Sequence, residues 1–322
     1  MKIAIILPVY NVENRLAICL DSIFKQTYGN FVVVAINDGS TDNSLEILKK
    51  FDKDKRLIII NQDNKGLSGA RNRGLFEILN DTTIDIVTFI DSDDYIKPDY
   101  LEHCINVFND KKINCYYSGH FEEIKKSIIE VKPSICGFCD KKSILKMLCT
   151  DTLSVTVAGK FYKRTICNDA FFPPYNPGED FCGNIMLLLN LNGEVFIDDY
   201  CGYYYYRNDD QPSITRSKRN FKKRINCIYA NKFVYLLVEE SECKKIQKTK
   251  IINSFFHEMP YFICAKLTDE EKEELKELKK WIKKQKLLSK NKNIRVFLYK
   301  YLRPIYIILI KIKYSKYYKN YQ

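Results

Sequence analysis

Three acidic side chains stand together in one short segment of the chain, Asp91-Ser92-Asp93-Asp94. The run before it, residues 86–90, is largely apolar and β-branched, which predicts a buried strand that delivers the carboxylates directly from the core. Three acids in four residues repel one another, and a bound cation is the simplest compensation. Oxygen ligands with no thiolate or histidine beside them favour a hard cation rather than zinc.

Two other segments carry the residue types of a ligand site, and both follow predicted strands. Pro8-Val9-Tyr10-Asn11 comes at the end of the first strand, and Asn37-Asp38-Gly39-Ser40-Thr41-Asp42 follows the second. The same residue types also make ordinary turns and helix starts, which is the alternative interpretation of the second segment. Ligands bind beyond the carboxyl ends of the strands in an open α/β sheet. We therefore expect the three segments to lie around one pocket.

Alternating strands and helices must position these segments. Apolar, β-branched runs predict strands over residues 3–7, 31–36, 57–60 and 84–90, and amphipathic patterns predict helices over residues 13–26, 44–51 and 68–79. Nearly unbroken apolar strands joined by helices are typical of a mostly parallel sheet with helices on both faces. The expected fold class is α/β, followed after about residue 207 by a helical, basic region. In that region Thr268 and Glu271 predict a capping box that opens a helix over residues 269–288.

The excess of basic over acidic residues lies entirely at the end of the chain. The 322 residues include 52 Lys and Arg and 40 Asp and Glu, a net charge of +12. Fourteen of the bases and none of the acids lie between Lys279 and Gln322, so residues 1–278 carry 38 bases against 40 acids. A nearly neutral body with a basic tail indicates attachment to an anionic partner through the tail.

Missing motifs argue against several classes of protein. Neither G-x-G-x-x-G nor G-x-x-x-x-G-K-[ST] occurs, which disfavours a dehydrogenase and a P-loop kinase. The strand-like start does not resemble a signal peptide, so we expect a reducing compartment in which the twelve cysteines are small buried apolar residues. We expect Cys136-Gly137-Phe138-Cys139 to be structural, since no second pair follows at zinc spacing.

A series of segments resembles, in order and in spacing, the motifs of the family 2 glycosyltransferases. The resemblance covers residues 1–215 and rests on Pro8-Val9-Tyr10-Asn11, Gln26-Thr27-Tyr28, Asn37-Asp38-Gly39-Ser40-Thr41-Asp42, Gly66-Leu67-Ser68-Gly69-Ala70-Arg71-Asn72-Arg73-Gly74, Asp91-Ser92-Asp93-Asp94, Gly159-Lys160-Phe161-Tyr162, Gly178-Glu179-Asp180, and Tyr204-Tyr205-Tyr206-Arg207 with Ser213-Ile214. It implies an inverting, metal-dependent enzyme of the GT-A fold that uses a nucleotide-activated sugar, with UDP as the expected nucleotide. The Q-x-x-R-W signature of processive synthases is absent, so we expect one sugar or a few to be added per acceptor.

The resemblance also implies a donor site. Asp38 resembles the carboxylate that accepts a hydrogen bond from the pyrimidine N–H, and Arg71 resembles a basic residue near the nucleotide. Judged alone, Arg71 could instead be an arginine on a helix surface. The other residues expected to contact the nucleotide sugar are Pro8, Tyr10, Asn11, Asp91 and Ser92.

The same resemblance implies that acidic residues bind the metal ion and act as the base. Asp93 resembles the ligand of the Mg²⁺ or Mn²⁺ that bridges the diphosphate, and Asp91 then lies near the ribose and the sugar. Inversion by a single in-line displacement needs one base on the acceptor side. We expect that base to be Asp180, at the start of a predicted helix, with Glu179 supporting it. Asp94 could add an outer contact, but we expect it only to open the helix that follows.

The expected organisation has two parts. A catalytic domain covers residues 1–215, with a donor half over residues 1–120 and an acceptor half over residues 121–215, and a membrane-association region covers residues 216–322. Residues 294–314 are apolar and aromatic, but five bases interrupt them, so they are too short to span a bilayer. Such a segment lies on a membrane, although it could instead pack on the catalytic domain. We expect a peripheral protein at the cytoplasmic face of the inner membrane, with a lipid-linked or oligosaccharide acceptor of lipopolysaccharide or capsule synthesis.

Two other functions remain open from the sequence. A nucleotidyltransferase would also gather carboxylates around a metal, but it would attack phosphorus and release pyrophosphate. A nucleic-acid-binding protein could use the basic tail, although the tail has no recognised binding motif and the body is slightly acidic. We expect no nucleic-acid partner.

Overall fold

The chain forms two compact units. The computed structural model describes residues 1–124, 127–207, 220–288, 299 and 303–319. The first unit is Met1–Pro174 with Gly178–Thr215, and the second is Tyr175–Pro177 with Arg216–Gln322. Ser213-Ile214 lies outside the described residues, as do residues 294–298 and 300–302 of the apolar, basic stretch over residues 294–314.

The first unit is built on one mixed sheet. Its strands in the described residues are β1 (Ile3–Val9), β2 (Phe31–Asp38), β3 (Leu57–Gln62), β4 (Ile86–Phe89), β5 (Tyr95–Ile96), β6 (Ile113–Ile124), β7 (Ser127–Val131), β8 (Gly137–Cys139), β9 (Phe161–Lys163) and β10 (Glu194–Arg207). Neighbouring strands follow the order β3-β2-β1-β4-β9-β6-β10-β5, with β7 beside β6 and β8 beside β10. β1 to β4 run parallel, as do β6 and β10, and β9 runs antiparallel between β4 and β6. The prediction of a mostly parallel sheet is confirmed.

Helices cover both faces of this sheet. In the first unit they are α1 (Glu13–Phe24), α2 (Ser44–Lys50), α3 (Gly66–Leu79), α4 (Tyr100–Phe108), α5 (Lys141–Cys149) and α6 (Glu179–Leu189). Successive residues of a strand point to opposite faces, and Ile5 of β1 shares a core with Leu20 of α1 and Leu101 of α4. On the other face, a Cβ added to Gly74 of α3 would come within 2.5 Å of the Ile6 side chain. A glycine therefore lets α3 lie this close to β1.

The predicted elements are present with shifted ends. β1 and β2 both run past their predicted ends, because Val9 still pairs with Asn37 in parallel register. β4 is shorter than the predicted run over residues 84–90, because the Ile84 N–H closes a turn onto the Asp81 carbonyl oxygen at 3.2 Å. All twelve cysteines lie in the described residues, where no disulfide joins them and most are buried, as expected.

The second unit is helical, as predicted. Its described helices are α7 (Phe221–Leu237), α8 (Ser241–Cys264), α9 (Asp269–Lys284) and α10 (Arg303–Lys319). The predicted capping box is confirmed, since the Glu271 N–H donates to Thr268 Oγ1 at 3.2 Å and the Thr268 N–H donates to Glu271 Oε2 at 2.9 Å. Apolar side chains of these helices form its core, which also holds a buried ion pair between Arg224 and Glu258. No helix in the part of the chain that the structure describes is long and apolar enough to cross a membrane.

Candidate active site

Three strand ends lie at one edge of the sheet. Val9 of β1 pairs with Asn37 of β2, and Ile6 of β1 pairs with Phe89, the last residue of β4. Parallel neighbours end on the same side of a sheet, so the segments that follow β1, β2 and β4 share one edge. The three polar segments noted in the sequence therefore lie where an α/β sheet holds its ligand.

Asn11 joins the loop after β1 to the loop after β2. Its Oδ1 accepts a hydrogen bond from the Thr41 N–H at 2.8 Å, and its own N–H donates to Ser40 Oγ at 3.3 Å. The backbone of Asn11 is left-handed, with φ of 49°, a conformation that asparagine adopts more readily than most residues. The asparagine thus fixes the distance between two loops at the edge of the candidate pocket.

Asp38 is held rigidly at the end of β2. The side chain is buried, and its Oδ1 accepts hydrogen bonds from Gln62 Nε2 at 2.7 Å and from the Lys65 N–H at 2.8 Å. Both of these hydrogen bonds reach the same carboxylate oxygen. Of the residues expected beside it, Tyr10 is exposed, whereas Pro8 is buried within β1.

Arg71 of α3 is completely buried between two acidic motifs. Its Nη2 donates to Asp91 Oδ1 at 2.9 Å, and its Nη1 donates to Asp180 Oδ1. Burial alone would lower the pKa of Arg71, but the charges of Asp180 and Asp91 outweigh burial and the net pKa is raised. The alternative of an arginine on a helix surface is therefore wrong. One guanidinium instead bridges the segment after β4 and the start of α6.

Burial, followed by nearby negative charge, raises the pKa values of the carboxylates after β4. Burial is the largest cause for Asp91, whose pKa is raised although Arg71 opposes the shift. The pKa of Asp93 is raised to about 6, first by desolvation and then by the charge of Asp91. Ser92 between them is buried, whereas the Asp93 side chain is exposed. The segment therefore presents one accessible carboxylate whose charged form is disfavoured.

Asp94 has a structural position that the sequence analysis did not predict. Its Oδ2 accepts a hydrogen bond from the Tyr203 hydroxyl at 2.5 Å, and its Oδ1 accepts one from the Tyr206 N–H at 2.8 Å. The expectation that Asp94 opens the next helix is wrong, because α4 begins at Tyr100 after Asp99. Asp94 is buried and instead ties the acidic segment to the end of β10.

Glu179 and Asp180 occupy the first turn of α6 and have different surroundings. Asp180 is partly exposed and receives Arg71 on one oxygen. Glu179 is buried, and no group in the described residues hydrogen-bonds its Oε2. Burial and the charge of Asp180 raise the pKa of Glu179 to about 7. The surroundings of Glu179 therefore favour its protonated form more than water would.

The acidic segment suits a hard cation in ligand type and in charge. Asp93 offers exposed oxygens, and the repulsion from Asp91 that raises its pKa is a repulsion that a cation would relieve. Within the described ranges, no three His, Cys, Asp or Glu side chains are grouped to hold a metal ion by themselves. One or two carboxylates completed by water and phosphate oxygens are usual surroundings for Mg²⁺. The residues present therefore fit an ion held jointly with a diphosphate.

Two features of the site were missed by the sequence analysis. Asn72 exchanges two hydrogen bonds with the backbone of Phe172, at 2.7 and 2.9 Å, and the Phe172 ring lies 5.5 Å from the Arg71 guanidinium. Lys160 is buried, with its Nζ 4.9 Å from the Tyr117 ring, and desolvation lowers its pKa to about 8 although Asp180 opposes the shift. Both Asn72 and Lys160 lie in segments singled out above. Their spacing did not reveal these contacts because the partners are distant in sequence.

The sheet carries carboxylates after its parallel strands and a further carboxylate at the start of helix α6. This arrangement is that of the GT-A class of glycosyltransferase folds. Residues 4–171 match the family described as glycosyl transferase family 2. The chain belongs to that family.

Similar sequences are glycosyltransferases by name. Over 102 residues the chain is 56% identical to the glycosyltransferase GlyA of Streptococcus pneumoniae, a match that covers 31% of this chain and 14% of GlyA. Over 129 residues it is 35% identical to the putative glycosyltransferase EpsH of Bacillus subtilis, a match that covers 39% of this chain and 36% of EpsH. The chain thus spans a minor part of the length of either curated relative.

Similar solved structures confirm the fold. TarS of S. aureus in complex with UDP-GlcNAc superposes with a TM-score of 0.65 at 21% identity, covering 84% of this chain and 78% of TarS. The mannosyltransferase PcManGT of Pyrobaculum calidifontis, in complex with GDP-Man and Mn²⁺, superposes with a TM-score of 0.54 at 13% identity, covering 97% of this chain and 86% of PcManGT. At these identities the similarity concerns the fold.

Proposed function

We propose that the protein is an inverting glycosyltransferase that moves a hexose or N-acetylhexosamine from a nucleotide sugar to a hydroxyl of a bacterial surface glycan. The observation that carries the proposal is the bridge made by Arg71. It holds Asp91, in the segment that would bind the donor, and Asp180, at the start of α6, on one guanidinium. A single displacement at a sugar carbon requires the base and the donor to be held in a fixed geometry. The bridge provides this by fixing a carboxylate on the acceptor side relative to one on the donor side.

The donor would bind between the segments that follow β1, β2 and β4. Asp38 would accept a hydrogen bond from the N–H of a pyrimidine, since Gln62 and Lys65 fix its carboxylate in place through Oδ1. Tyr10 and Asn11 would line the pocket, and Asp91 and Ser92 would lie toward the ribose and sugar. UDP is the proposed nucleotide, and the UDP-GlcNAc complex of the structurally similar TarS supports this choice.

Asp180 would act as the base. Arg71 holds its Oδ1, and the side chain remains partly exposed, so the other oxygen can face an acceptor. Asp180 would take the proton of the acceptor hydroxyl while that oxygen forms a bond to the anomeric carbon. The bond from that carbon to the diphosphate breaks, and its electron pair leaves with the nucleoside diphosphate. Because the acceptor attacks from the opposite face, the stereochemistry at the carbon inverts. Glu179 would support the base from its buried position beside it.

Asp93, with Asp91 behind it, would hold Mg²⁺ or Mn²⁺. When bound, the cation neutralises negative charge on the departing diphosphate. The raised pKa of Asp93 supports this assignment, since nearby negative charge is the second cause of the shift after desolvation. The Mn²⁺ in the PcManGT complex supports it by analogy of fold.

The setting of the enzyme is also part of the proposal. Residues 1–215 would form the catalytic domain, and residues 216–322 would attach it to the cytoplasmic face of the inner membrane. The fourteen bases and no acids from Lys279 to Gln322 support attachment to an anionic surface. A lipid-linked or oligosaccharide acceptor of lipopolysaccharide or capsule synthesis would suit an enzyme placed there.

The products of the reaction test the proposal. The full chain, given UDP-hexoses and UDP-N-acetylhexosamines with Mn²⁺ and membrane lipid extract, should release UDP and glycosylate a lipid fraction. Release of pyrophosphate from a nucleoside triphosphate and a sugar phosphate, without UDP, would show a nucleotidyltransferase instead. Asp180→Asn serves as the catalytic control, because it keeps an oxygen for Arg71 to bind and removes the base.

A further inference from the structure

Helix α10 exposes a stripe of apolar side chains. Ile305, Ile308, Leu309 and Ile312 are each between 50% and 75% exposed. They follow Ile305 at intervals of three, four and seven residues, so they lie on one face of the helix. These four residues are called the α10 stripe below.

A second face of α10 packs into the core of the helical unit. Tyr306 is buried, its ring centroid lies 6.2 Å from that of Phe256 in α8, and Ile310 packs against the same core. The sequence left open whether this segment packs on the catalytic domain or lies on a membrane. One face of α10 packs within its own helical unit, whereas the α10 stripe is exposed. The stripe is therefore not required to hold the helix in place.

Positive charge flanks the α10 stripe. Lys311 and Lys313 are both exposed, and at roughly 100° of rotation per residue they project to either side of the stripe. No acidic residue occurs anywhere from Lys279 to Gln322. Apolar side chains between cations match the interface of an anionic bilayer, in which isoleucine and leucine enter the acyl boundary and lysines meet lipid phosphates.

We infer that the α10 stripe docks the chain on an anionic lipid bilayer, with α10 lying in the plane of the membrane. A second copy of the chain fits the stripe less well, because a two-fold contact would bring the same cationic flanks together. A nucleic acid would pair with the lysines but leave four apolar side chains without a partner. The inference rests on the proposed membrane attachment of residues 216–322 and assigns it to one helix face, whereas its test is independent of sugar transfer.

Flotation of the full chain with lipid vesicles tests the inference. The chain should float with vesicles of phosphatidylcholine and phosphatidylglycerol in equal parts, and much less with phosphatidylcholine alone. Ile308→Ser combined with Ile312→Ser should lower the partition coefficient by at least about tenfold, since two side chains lose their apolar burial. Lys311→Gln and Lys313→Gln should each lower it by about fivefold at low salt. The matched control is Leu236→Ser, at an apolar side chain of α7 that is 57% exposed, and it should change nothing.

Three results would overturn the inference. The first is wild-type protein that does not float with anionic vesicles, and the second is a double isoleucine variant that floats as well as the wild type. The third is a wild-type dimer in vesicle-free buffer that the double variant loses, since the stripe would then be a self-association surface. Thermal unfolding of each variant checks that the fold is intact, which the exposure of both isoleucines leads us to expect.

Discussion

Arg71 donates to Asp180 from a side chain that has no exposure to solvent, and its second terminal nitrogen donates to Asp91 at 2.9 Å. The planar guanidinium is a rigid fork with two donor directions. It therefore sets the position of the proposed base relative to the segment that is proposed to bind the donor. Phe172, 5.5 Å from the guanidinium, closes one side of this bridge.

Replacing Arg71 by lysine should separate positioning from charge. Arg71→Lys keeps a buried cation but cannot hold both carboxylates, so we expect kcat to fall by about 100-fold, because small misplacements of a base cost that much. Arg71→Leu would leave carboxylates uncompensated and should lower the free energy of unfolding by about 3–5 kcal/mol. Steady-state kinetics with denaturant unfolding measures both effects.

The matched control for this pair is Arg73→Lys, in the same helix. The Arg73 side chain is 45% exposed and forms a 3.5 Å ion pair with Glu77, so neither rate nor stability should change noticeably. Wild-type kcat in Arg71→Lys would show that the bridge does not position the base.

Asp93→Asn should abolish the dependence of nucleotide binding on Mn²⁺. In the wild type, UDP at 100 times its dissociation constant with Mn²⁺ should stabilise the fold by about 2.7 kcal/mol. An asparagine amide at this position would be a weaker ligand without charge, so the Mn²⁺-dependent part of this stabilisation should vanish. Thermal unfolding with UDP, GDP, dTDP and CDP, each with and without Mn²⁺, measures the effect and identifies the nucleotide.

The exposed residue Asp52 gives the control for that experiment, since Asp52→Asn removes the same charge away from the edge of the sheet. It should preserve the full response to UDP and Mn²⁺. Equal responses in wild type and Asp93→Asn would rule out Asp93 as the metal ligand.

Glu179 should make stability depend on pH near neutrality. Its pKa is raised from the ordinary 4.5 to about 7, so its contribution to stability is present below about pH 4.5 and is lost as the pH rises through about 7. In the wild type the free energy of unfolding should therefore fall between pH 5 and pH 8, by up to about 3 kcal/mol from this group. In Glu179→Gln the fall should be smaller, as urea unfolding at both pH values would show.

Glu46→Gln, at an exposed position of α2, provides the comparison for the pH series. Its pH dependence should match that of the wild type. A Glu179→Gln variant whose stability changes with pH as steeply as the wild type would contradict the assignment of this titration to Glu179.

Strand and helix periodicity was sufficient to predict β1 to β4 and the helices between them, and the pair Thr268 and Glu271 predicted the capping box. Segments following parallel strands could also be placed at one edge, because the topology of such sheets leaves little choice. The position of Asp94 could not be predicted, since its partners Tyr203 and Tyr206 are more than a hundred residues away. The local sequence around an acidic residue is the same whether that residue precedes a helix or is buried against a strand that is distant in sequence.

The bridge at Arg71 could not be predicted from the sequence for a related reason. Burial of an arginine depends on tertiary packing against Phe172 and on two carboxylates from separate segments. The family resemblance implied that Arg71 lies near the donor site, whereas its contact with Asp180 appears only in three dimensions. The roles proposed for both residues rest on that contact.

Single-turnover sugar transfer by Asp180→Asn tests the central claim most directly. The variant should bind the UDP-sugar with Mn²⁺ to within a few-fold of the wild type, because asparagine keeps an oxygen for Arg71. Its transfer rate should fall by about 100- to 10,000-fold, the usual contribution of a general base. Transfer by Asp180→Asn within tenfold of the wild-type rate, at unchanged donor affinity, would contradict the assignment of Asp180 as the base.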